Sequence, residues 1–416
     1  MQYCAWCLVV AAMLVVLLCG QAGAAGADRW TIGQPIVTYW AGPAMTDAVA
    51  QQMAEGGWNV VWCTEKDLDV AQRHGLRAQL HDGLLSPASL DDPAKKAELD
   101  ALVDRVKQHP ALYSYFITDE PNAAAFPALG RLVAYLRERD PAHLAYINLF
   151  PTYASNEQLG TQGDTVTAYR EHLRQFLEVV QPDLVSYDHY HFAANGLDGE
   201  QYFLNLGLIR QSALEARLPF LNIVQACSWT PSMRVPVGPE VRWLVYTSLA
   251  YGAQGISYYV YCHPGHEGAI ANADGSPTAL YYTLRTANRD FAAIAAELQP
   301  LRSLGAYHLG MMPAGAEAVP DGFPFRLEPA VPATQYEPPQ PLQGMLLGAF
   351  GPARGKPTHL VVVNLDYRND VTTTLVGPGR LQVFSPHTGR WRPAQGSEVK
   401  LRLPAGGGRL VRLAPG

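Results

Sequence analysis

The chain has 416 residues, of which 48% are hydrophobic and 16% charged, so it can bury a large core and is not expected to be disordered. Its net charge of −6 comes without a basic cluster, which argues against nucleic acid and anionic membranes as partners. This length accommodates a barrel of roughly 250 residues together with a smaller module.

The amino terminus has the pattern of a secretory signal. Residues 1–26 carry no charged side chain, and the apolar run 7–18 leads into small residues with a cleavage pattern at Ala22 and Ala24. The run is short for a membrane span, so the mature protein is expected to be soluble and either secreted or periplasmic. Cys19 could instead mark a lipoprotein, although the leucine before it is bulkier than such processing usually accepts.

Three cysteines remain after cleavage of this signal: Cys63, Cys227 and Cys262. An odd number leaves at least one thiol free, which argues against a disulfide scaffold. Buried free thiols are the favoured interpretation, and a single bridge between Cys227 and Cys262 is the alternative.

Strand-like apolar runs alternate with helical stretches over residues 30–304, which predicts an α/β fold of the (β/α)8 TIM-barrel type. The predicted strands are Ile36–Trp40, Val60–Thr64, Arg77–His81, Leu112–Thr118, Leu144–Leu149, Leu184–Asp188, Phe220–Ala226 and Gly255–Tyr261. The predicted helices between them are Pro93–Gln108, Phe126–Arg139, Thr165–Val180, Glu200–Ala216 and Glu240–Tyr251.

The residue composition and the predicted secondary structure change after residue 304. Residues 313–357 are rich in Pro and Gly and read as a linker with an irregular strand or two. Short alternating strands separated by Gly-containing turns follow from His359 to Leu413. Residues 313–416 are therefore predicted to form a linker and a small C-terminal β-sandwich.

Two adjacent carboxylates, Asp119 and Glu120, end an aromatic strand that Pro121 stops. Barrel enzymes place their chemistry at the carboxyl ends of the strands, and a carboxylate pair in a cleft can break glycosidic bonds. We expect Glu120 to be the general acid, with Asp119 raising its proton affinity by like-charge repulsion. The alternative is that both acids cap the helix that follows.

The sixth strand delivers Asp188, which is the predicted partner of Glu120 as nucleophile or as the base that activates water. The spacing of the two strands fits either a retaining or an inverting carboxyl separation, and the sequence does not choose between them. The alternative is a structural aspartate held by His189 or by a backbone amide.

Other polar and aromatic residues at the strand ends are predicted to contact the substrate together with Asp119. They are His81, Trp40, Asn148, His189, Tyr190, Gln225, Trp229 and Tyr261. His189 and His191 alternate along one strand, so a metal-dependent hydrolase is a rival interpretation, but local spacing fixes no third ligand. No metal or other cofactor is predicted.

Several segments resemble the barrel glycoside hydrolases allied to β-galactosidases and cellulases. They are Tyr115–Pro121 (YFITDEP), Tyr146–Leu149 (YINL), Leu184–Tyr190 (LVSYDHY) and Ala250–Ile256 (AYGAQGI), within a resemblance that covers most of residues 36–264. The C-terminal module is similar to the β-sandwich often appended to these enzymes. The resemblance assigns the acid/base role of the glutamate before proline to Glu120, and it implies a carbohydrate substrate.

The departure from this resemblance lies at the seventh strand, where the nucleophilic glutamate is replaced by Gln225. Gln225 is neutral and cannot form a glycosyl ester. Three explanations remain open. Asp188 or another acid replaces the nucleophile, or a 2-acetamido group of the substrate attacks with support from Asp119, as in hexosaminidases. In the third, the protein binds glycans without cutting them. The leading expectation is an exported glycoside hydrolase acting on O-glycosidic bonds of an oligo- or polysaccharide.

Overall fold

The computed structural model describes residues 30–196, 198–335 and 341–415. The predicted signal, residues 1–26, lies outside these ranges. Among the residues described, no helix combines the length and the hydropathy that crossing a bilayer requires.

In the described part of the chain, eight parallel strands form one sheet that curves into a barrel. They are Ile36–Trp40, Val60–Cys63, Arg77–Leu80, Leu112–Asp119, Leu144–Leu149, Val185–His189, Phe220–Gln225 and Gly255–Tyr259. Each strand pairs with its neighbour in the chain from the second to the eighth, and the eighth pairs with the first. The predicted (β/α)8 barrel is confirmed, with strand ends shifted by one or two residues.

Backbone and side-chain hydrogen bonds outside the regular ladder close the barrel between the first and second strands. The backbone N–H of Asn59 donates to the carbonyl of Val37 at 3.0 Å, and the Asn59 Oδ1 accepts from the Val37 N–H at 2.9 Å. Further along, the Trp62 indole donates to the carbonyl of Tyr39 at 2.8 Å. These bonds satisfy backbone groups that the regular ladder leaves open at this seam.

Helices surround the barrel between its strands. The α-helices are Asp47–Glu55, Leu68–Arg73, Ala88–Asp91, Pro93–Val106, Phe126–Arg139, Asn156–Leu159, Thr165–Gln175, Tyr202–Ala216, Gly238–Tyr251 and Ala279–Leu298. Short 3₁₀ helices span Glu65–Asp67 and Ala123–Ala125, and a π-helical turn spans Phe176–Val180. The sequence pattern did not predict five of these α-helices, namely Asp47–Glu55, Leu68–Arg73, Ala88–Asp91, Asn156–Leu159 and Ala279–Leu298. The last of these buries Leu284, Phe291 and Leu298, one residue per heptad, against the barrel.

Alternate strand residues point to opposite sides of the barrel wall. Val37, Val61 and Val185 belong to the large cluster that packs the strands against the helices. Ile36, Val60, Leu144, Tyr146, Leu221 and Ile223 form a second cluster with Trp30 and Tyr113, and this cluster fills the barrel. The barrel is thus a packed core, open to ligands only at its ends.

The C-terminal module is a β-sandwich that begins at Arg302. Its larger sheet contains Arg302–Met312, Glu317–Ala318, Thr334–Gln335, Gly344–Gly351, His359–Asn364, Leu381–Ser385, Arg390–Pro393 and Gly408–Leu413. Its smaller sheet contains Arg326–Glu328, Val371–Val376 and Glu398–Leu403. Within residues 313–357, which the sequence predicts as a linker with an irregular strand or two, Gly344–Gly351 is a central strand paired on both sides.

The sandwich packs directly on the barrel. Gly348 lies so close to the helix Gly238–Tyr251 that a Cβ there would meet the Ala250 carbonyl oxygen at 2.2 Å. Glycine is therefore required by the close approach of the two backbones.

The thiols of Cys63, Cys227 and Cys262 are all free, which excludes the Cys227–Cys262 bridge. The prediction of buried free thiols is confirmed for Cys63 and Cys227 and is wrong in burial for Cys262. Cys63 and Cys227 are buried, whereas Cys262 is partly exposed.

Candidate active site

The fourth strand ends irregularly at the mouth of the barrel. Its pairing with the fifth strand shifts register between Phe116 and Thr118, and Glu120 then adopts a left-handed backbone with φ of +44°. The Glu120 N–H donates to the Asn148 carbonyl at 2.9 Å, which holds this conformation. A bulge changes the direction of the side chains that follow it. A glutamate backbone with positive φ raises the free energy of the folded state by about 1 kcal/mol or more. Such strain is typical of functional sites.

The two adjacent acids do not cap the following helix. Asn122 is the N-cap residue, since its Oδ1 accepts from the Ala124 N–H at 2.8 Å. The structure therefore contradicts the capping alternative, and Asp119 and Glu120 remain free to line the barrel mouth.

Asn148, on the fifth strand, joins the acids of the fourth and sixth strands. Its Nδ2 donates to Asp188 Oδ1 at 2.7 Å and to Asp119 Oδ1 at 3.0 Å. Its own Oδ1 accepts from the Ser186 hydroxyl at 3.0 Å, so the amide orientation is fixed. Asn148 thus uses both of its amide hydrogens to hold two carboxylates.

Asp188 is only 2% exposed, and its buried carboxyl lies within hydrogen-bonding reach of the Glu120 carboxyl. The interpretation of Asp188 as a structural residue required a bond from His189 or from the backbone. His189 Nδ1 instead pairs with Asn205 Oδ1 at 2.9 Å. Burying one acid against a second acid is costly for folding alone.

The pKa values of the three acids are all displaced upward. Burial, followed by the charge of Asp119, raises the pKa of Glu120 to about 7. Burial, followed by the charges of Glu120 and Asp119, raises the pKa of Asp188 well above its usual range. Asp119 is exposed at the cavity wall, yet the enclosing protein atoms raise its pKa too, with the bond from Asn148 opposing them. Burial and the repulsion between the acids thus both favour the protonated forms of Glu120 and Asp188.

Two adjoining cavities open at these acids. A narrow one of about 160 Å³ contains Asp119, Glu120, Asn148 and Asp188, and a wider one of about 530 Å³ extends from Glu120 and Asp188. Both are lined by Glu120, Asp188, Tyr190 and Trp229. The wider cavity has the volume of a small-molecule site.

Aromatic rings form one wall of the narrow cavity. Tyr190, Trp229 and Tyr259 touch one another, with ring centroids 4.5 to 5.1 Å apart. Trp40 lines the same cavity and packs edge-on against Phe116. The walls thus combine carboxylates with rings that have large apolar faces.

The structure brings together most of the predicted site residues and separates four from them. Asp119, Glu120, Asn148, Asp188, Trp40, Tyr190 and Trp229 line one or both cavities, whereas His81, His189, Gln225 and Tyr261 line neither. His81 is exposed beside Trp62. His189 is buried, and Tyr261 is buried with its hydroxyl accepting from Gln52.

Gln225 acts as an internal clamp for the loop after the sixth strand. Its Oε1 accepts from the Phe192 N–H at 2.8 Å, and its Nε2 donates to the carbonyls of Arg234 at 2.7 Å and Phe192 at 3.1 Å. It is fully buried. Its amide nitrogen and oxygen both bond to the backbone, and its burial keeps it out of reach of a substrate in this conformation.

Several residues that line the two cavities were not predicted from the sequence. They include Phe150, Tyr153, Met233 and Tyr259. Tyr259 was missed because the predicted eighth strand ran on to Tyr261, whereas the strand ends at Tyr259. The Tyr261 N–H then bonds to the carbonyls of Trp40 and Ala41. Tyr153 and Met233 lie on loops, where no periodicity marks orientation.

His189 and His191 do not share a ligand position. The His191 ring stacks on Trp243 at 4.7 Å, while His189 faces Asn205. Across the described residues, no group of three or more His, Cys, Asp and Glu side chains is arranged to hold a metal ion.

No protein-family model and no curated protein matches this chain. Among solved structures, the chain is similar to a glycoside hydrolase family 30 subfamily 8 xylanase from Clostridium acetobutylicum, with 11% identity, TM-score 0.45, and 93% of this chain and 97% of the other covered. It is also similar to a GH99 endo-α-mannosidase from Bacteroides thetaiotaomicron, with 16% identity, TM-score 0.41, and coverage of 60% and 80%. A third is the β-galactosidase from Marinomonas ef1, with 11% identity, TM-score 0.44, and coverage of 63% and 60%. Similarities with such low sequence identity and TM-score do not determine the function. The function therefore has to be inferred from the geometry of the site.

Proposed function

We propose that the protein is an exported glycoside hydrolase that cleaves O-glycosidic bonds of an oligo- or polysaccharide, with Glu120 as general acid. The observation that carries this proposal is the close pair of carboxyls, Glu120 and Asp188, which line both cavities at the mouth of the barrel. Burial raises the pKa of Glu120 to about 7. Cleaving an acetal requires a proton for the departing oxygen, and a carboxyl whose pKa is near 7 can supply it at neutral pH.

The reaction follows from the positions of the two acids. Glu120, half-buried and lining both cavities, donates its proton to the bridging oxygen as the bond to the anomeric carbon breaks. The pair is then fully ionised, and its negative charge stabilises the oxocarbenium-like cation. Asp188 either attacks the anomeric carbon or takes the proton of the water that does. In both routes, water supplies the hydroxyl of the product, and a proton returns to the carboxyl pair.

A Glu120→Gln variant tests the acid assignment, with Glu98→Gln as the matched control because Glu98 is exposed and distant from the site. Both should be screened on aryl glycosides and on plant and algal polysaccharides. The proposal expects turnover to fall by about 10²-fold or more in Glu120→Gln while sugar binding survives, with the control unchanged. Full hydrolysis by Glu120→Gln would refute the assignment.

A binding protein without turnover is the second candidate, and Gln225 is the observation that favours it. This residue occupies the position at which the resemblance places the nucleophile, and it is bonded to the backbone. Measurable glycan affinity with no hydrolysis of any tested substrate would support this candidate.

The substrate-assisted route can be distinguished experimentally from hydrolysis that uses Asp188 and from glycan binding without turnover. It would use Asp119, held by Asn148, to orient a 2-acetamido group. Asp119→Asn would then abolish turnover of 2-acetamido sugars and leave turnover of other sugars largely intact.

A further inference from the structure

The loop after the eighth strand folds back beside the narrow cavity. Its segment Glu267–Gly268 pairs in antiparallel fashion with Cys227–Ser228, directly before Trp229. A Cβ at Gly268 would meet the Val235 side chain at 2.3 Å, so this loop also packs closely on the loop after the seventh strand. The loop thus joins the ends of the seventh and eighth strands at the aromatic wall of the cavity.

His266, in this loop, contacts two rings of the aromatic wall. Its Nε2 lies 3.2 Å from the Tyr259 hydroxyl oxygen. Its ring is nearly parallel to that of Trp229, at an angle of 24° and a centroid distance of 6.4 Å. Tyr259 and Trp229 both line the narrow cavity, whereas His266 lines neither cavity. In this conformation His266 therefore acts on a bound ligand through these two rings.

The other ring nitrogen of His266 is held by His263. The two Nδ1 atoms lie 3.0 Å apart, and a hydrogen bond between them requires that only one carries a hydrogen. His263 Nδ1 lies 2.8 Å from the Pro264 carbonyl oxygen, which can only accept, whereas His266 Nδ1 lies 3.4 Å from the same oxygen. The hydrogen therefore belongs to His263, and His266 Nδ1 is the acceptor.

The tautomer of His266 sets the direction of its bond to Tyr259. A neutral imidazole that accepts at Nδ1 carries its hydrogen at Nε2, so the His266 Nε2–H donates to the Tyr259 hydroxyl oxygen. Burial raises the pKa of Tyr259 to about 12, so this hydroxyl keeps its own hydrogen at neutral pH. That hydrogen is then available to a ligand in the narrow cavity, which Tyr259 lines.

On the basis of the function proposed above, we propose that His266 is a positioning residue for the sugar. The His263–His266 pair fixes the Tyr259 hydroxyl as a hydrogen-bond donor towards the narrow cavity, and a hydroxyl or ring oxygen of the sugar is the acceptor that fits it. The sugar makes this contact in the bound ground state as well as during the reaction. The contribution of His266 is therefore to affinity rather than to the rate of bond cleavage.

The tautomers can be observed directly, without any ligand. In protein labelled with nitrogen-15 histidine, NMR shifts distinguish the Nδ1–H form from the Nε2–H form. The chain has 12 histidines, and the variants His263→Gln and His266→Gln assign the two signals. At about pH 8, where an unperturbed imidazole is neutral, we expect the Nδ1–H form for His263 and the Nε2–H form for His266. Any other form of His266 would overturn the inference.

Kinetics test the effect on the sugar, with nitrophenyl glycosides of common hexoses and pentoses as probes. His266→Ala should raise KM about 3- to 10-fold and leave kcat within about twofold, because one hydrogen bond is weakened equally in the ground and transition states. His266→Gln retains an N–H donor and should recover most of this loss. His387→Ala removes an exposed histidine of the sandwich and should change neither constant.

Tyr259→Phe completes a double-mutant cycle. We expect His266→Ala to raise KM less in this background than in the parent protein, because the hydroxyl that His266 fixes is already gone. Equal increases in the two backgrounds, an unchanged KM, or a loss confined to kcat would overturn the inference and leave the proposed hydrolase intact. If no glycoside is turned over, the proposed function fails, and the nitrogen-15 spectra alone then support or overturn the bond from His266 to Tyr259.

Discussion

Tyr367 of the β-sandwich binds Asp198 of the barrel, with its hydroxyl oxygen 2.8 Å from Oδ1 and 3.0 Å from Oδ2. Both residues are buried. Asp198 lies in the loop after the sixth strand, the loop that begins with Tyr190 at the cavity wall. The Tyr367 ring also packs edge-on against Phe192, so the sandwich holds this loop in place.

Tyr367→Phe is therefore expected to lower the free energy of unfolding by about 1–3 kcal/mol, since a buried carboxylate loses a donor. Chemical denaturation measures this change. Hydrogen exchange should speed up in residues 190–201. Tyr282→Phe is the matched control, because Tyr282 is 58% exposed, and it should change neither quantity. Unaltered exchange in the loop of Tyr367→Phe would contradict a positioning role for the sandwich.

Asn148→Ala removes the amide that donates to both Asp119 and Asp188. Those bonds favour the ionised acids, so their loss should raise the pKa of Asp188 further. Because Asp188 acts as nucleophile or base in its ionised form, the acidic limb of the pH–rate profile should move upward. We expect a fall in kcat of about 10-fold or more as well. A profile identical to that of the parent protein would show that Asn148 does not tune the acids.

The stability of the protein should depend on pH through Glu120. Its pKa rises from 4.5 to about 7 on folding, so the folded state holds the proton more tightly than the unfolded chain. Below about pH 4.5, Glu120 is protonated in both the folded and the unfolded chain and does not reduce the free energy of unfolding. Above that pH the free energy of unfolding decreases until the pH reaches about 7. The loss is on the order of 2 kcal/mol after allowance for partial exposure. Because Asp119 and Asp188 contribute in the same direction, Glu120→Gln should lessen this decrease in urea titrations at pH 5 and pH 8, whereas Glu98→Gln should retain it in full.

Gln225→Glu restores the carboxylate that the sequence resemblance leads one to expect, yet it should not improve activity. The new carboxylate would face the carbonyl oxygens of Arg234 and Phe192, which now accept from the amide. A buried charge against two acceptors should destabilise the fold by about 3 kcal/mol or more. Thermal unfolding and turnover assays check both points. A stable variant with raised turnover would show that Gln225 is a disabled nucleophile rather than a clamp.

Trp229→Ala should weaken sugar binding roughly tenfold, because the ring lines both cavities and contacts Tyr190 and Tyr259. Titration of the Glu120→Gln background with a bound sugar measures this loss without turnover. Trp391→Ala, in the sandwich, is the control for loss of a tryptophan. Equal losses of affinity in the two variants would mean that Trp229 acts through general stability.

The sequence alone determined the barrel, because strand-like runs and helices alternate with a period that only parallel βα units explain, and eight such units close. It also placed Asp119, Glu120 and Asp188 at one end of that barrel, since the carboxyl ends of parallel strands meet there. It could not locate the start of the sandwich, because the strands Arg302–Met312 and Gly344–Gly351 are separated by a Pro-rich segment that hides their pairing.

Tertiary structure decided which side chains meet the cavity. Gln225 and Tyr261 occupy strand-end positions that resemble those of Asp188 and Tyr259, yet both turn into the protein and bond there. Residue type and spacing carry no information on such choices, because they depend on which backbone groups remain unpaired at the rim. The buried contact of Asp188 with Glu120 and Asn148 is likewise a product of three strands packing together, and no single segment of the chain encodes it.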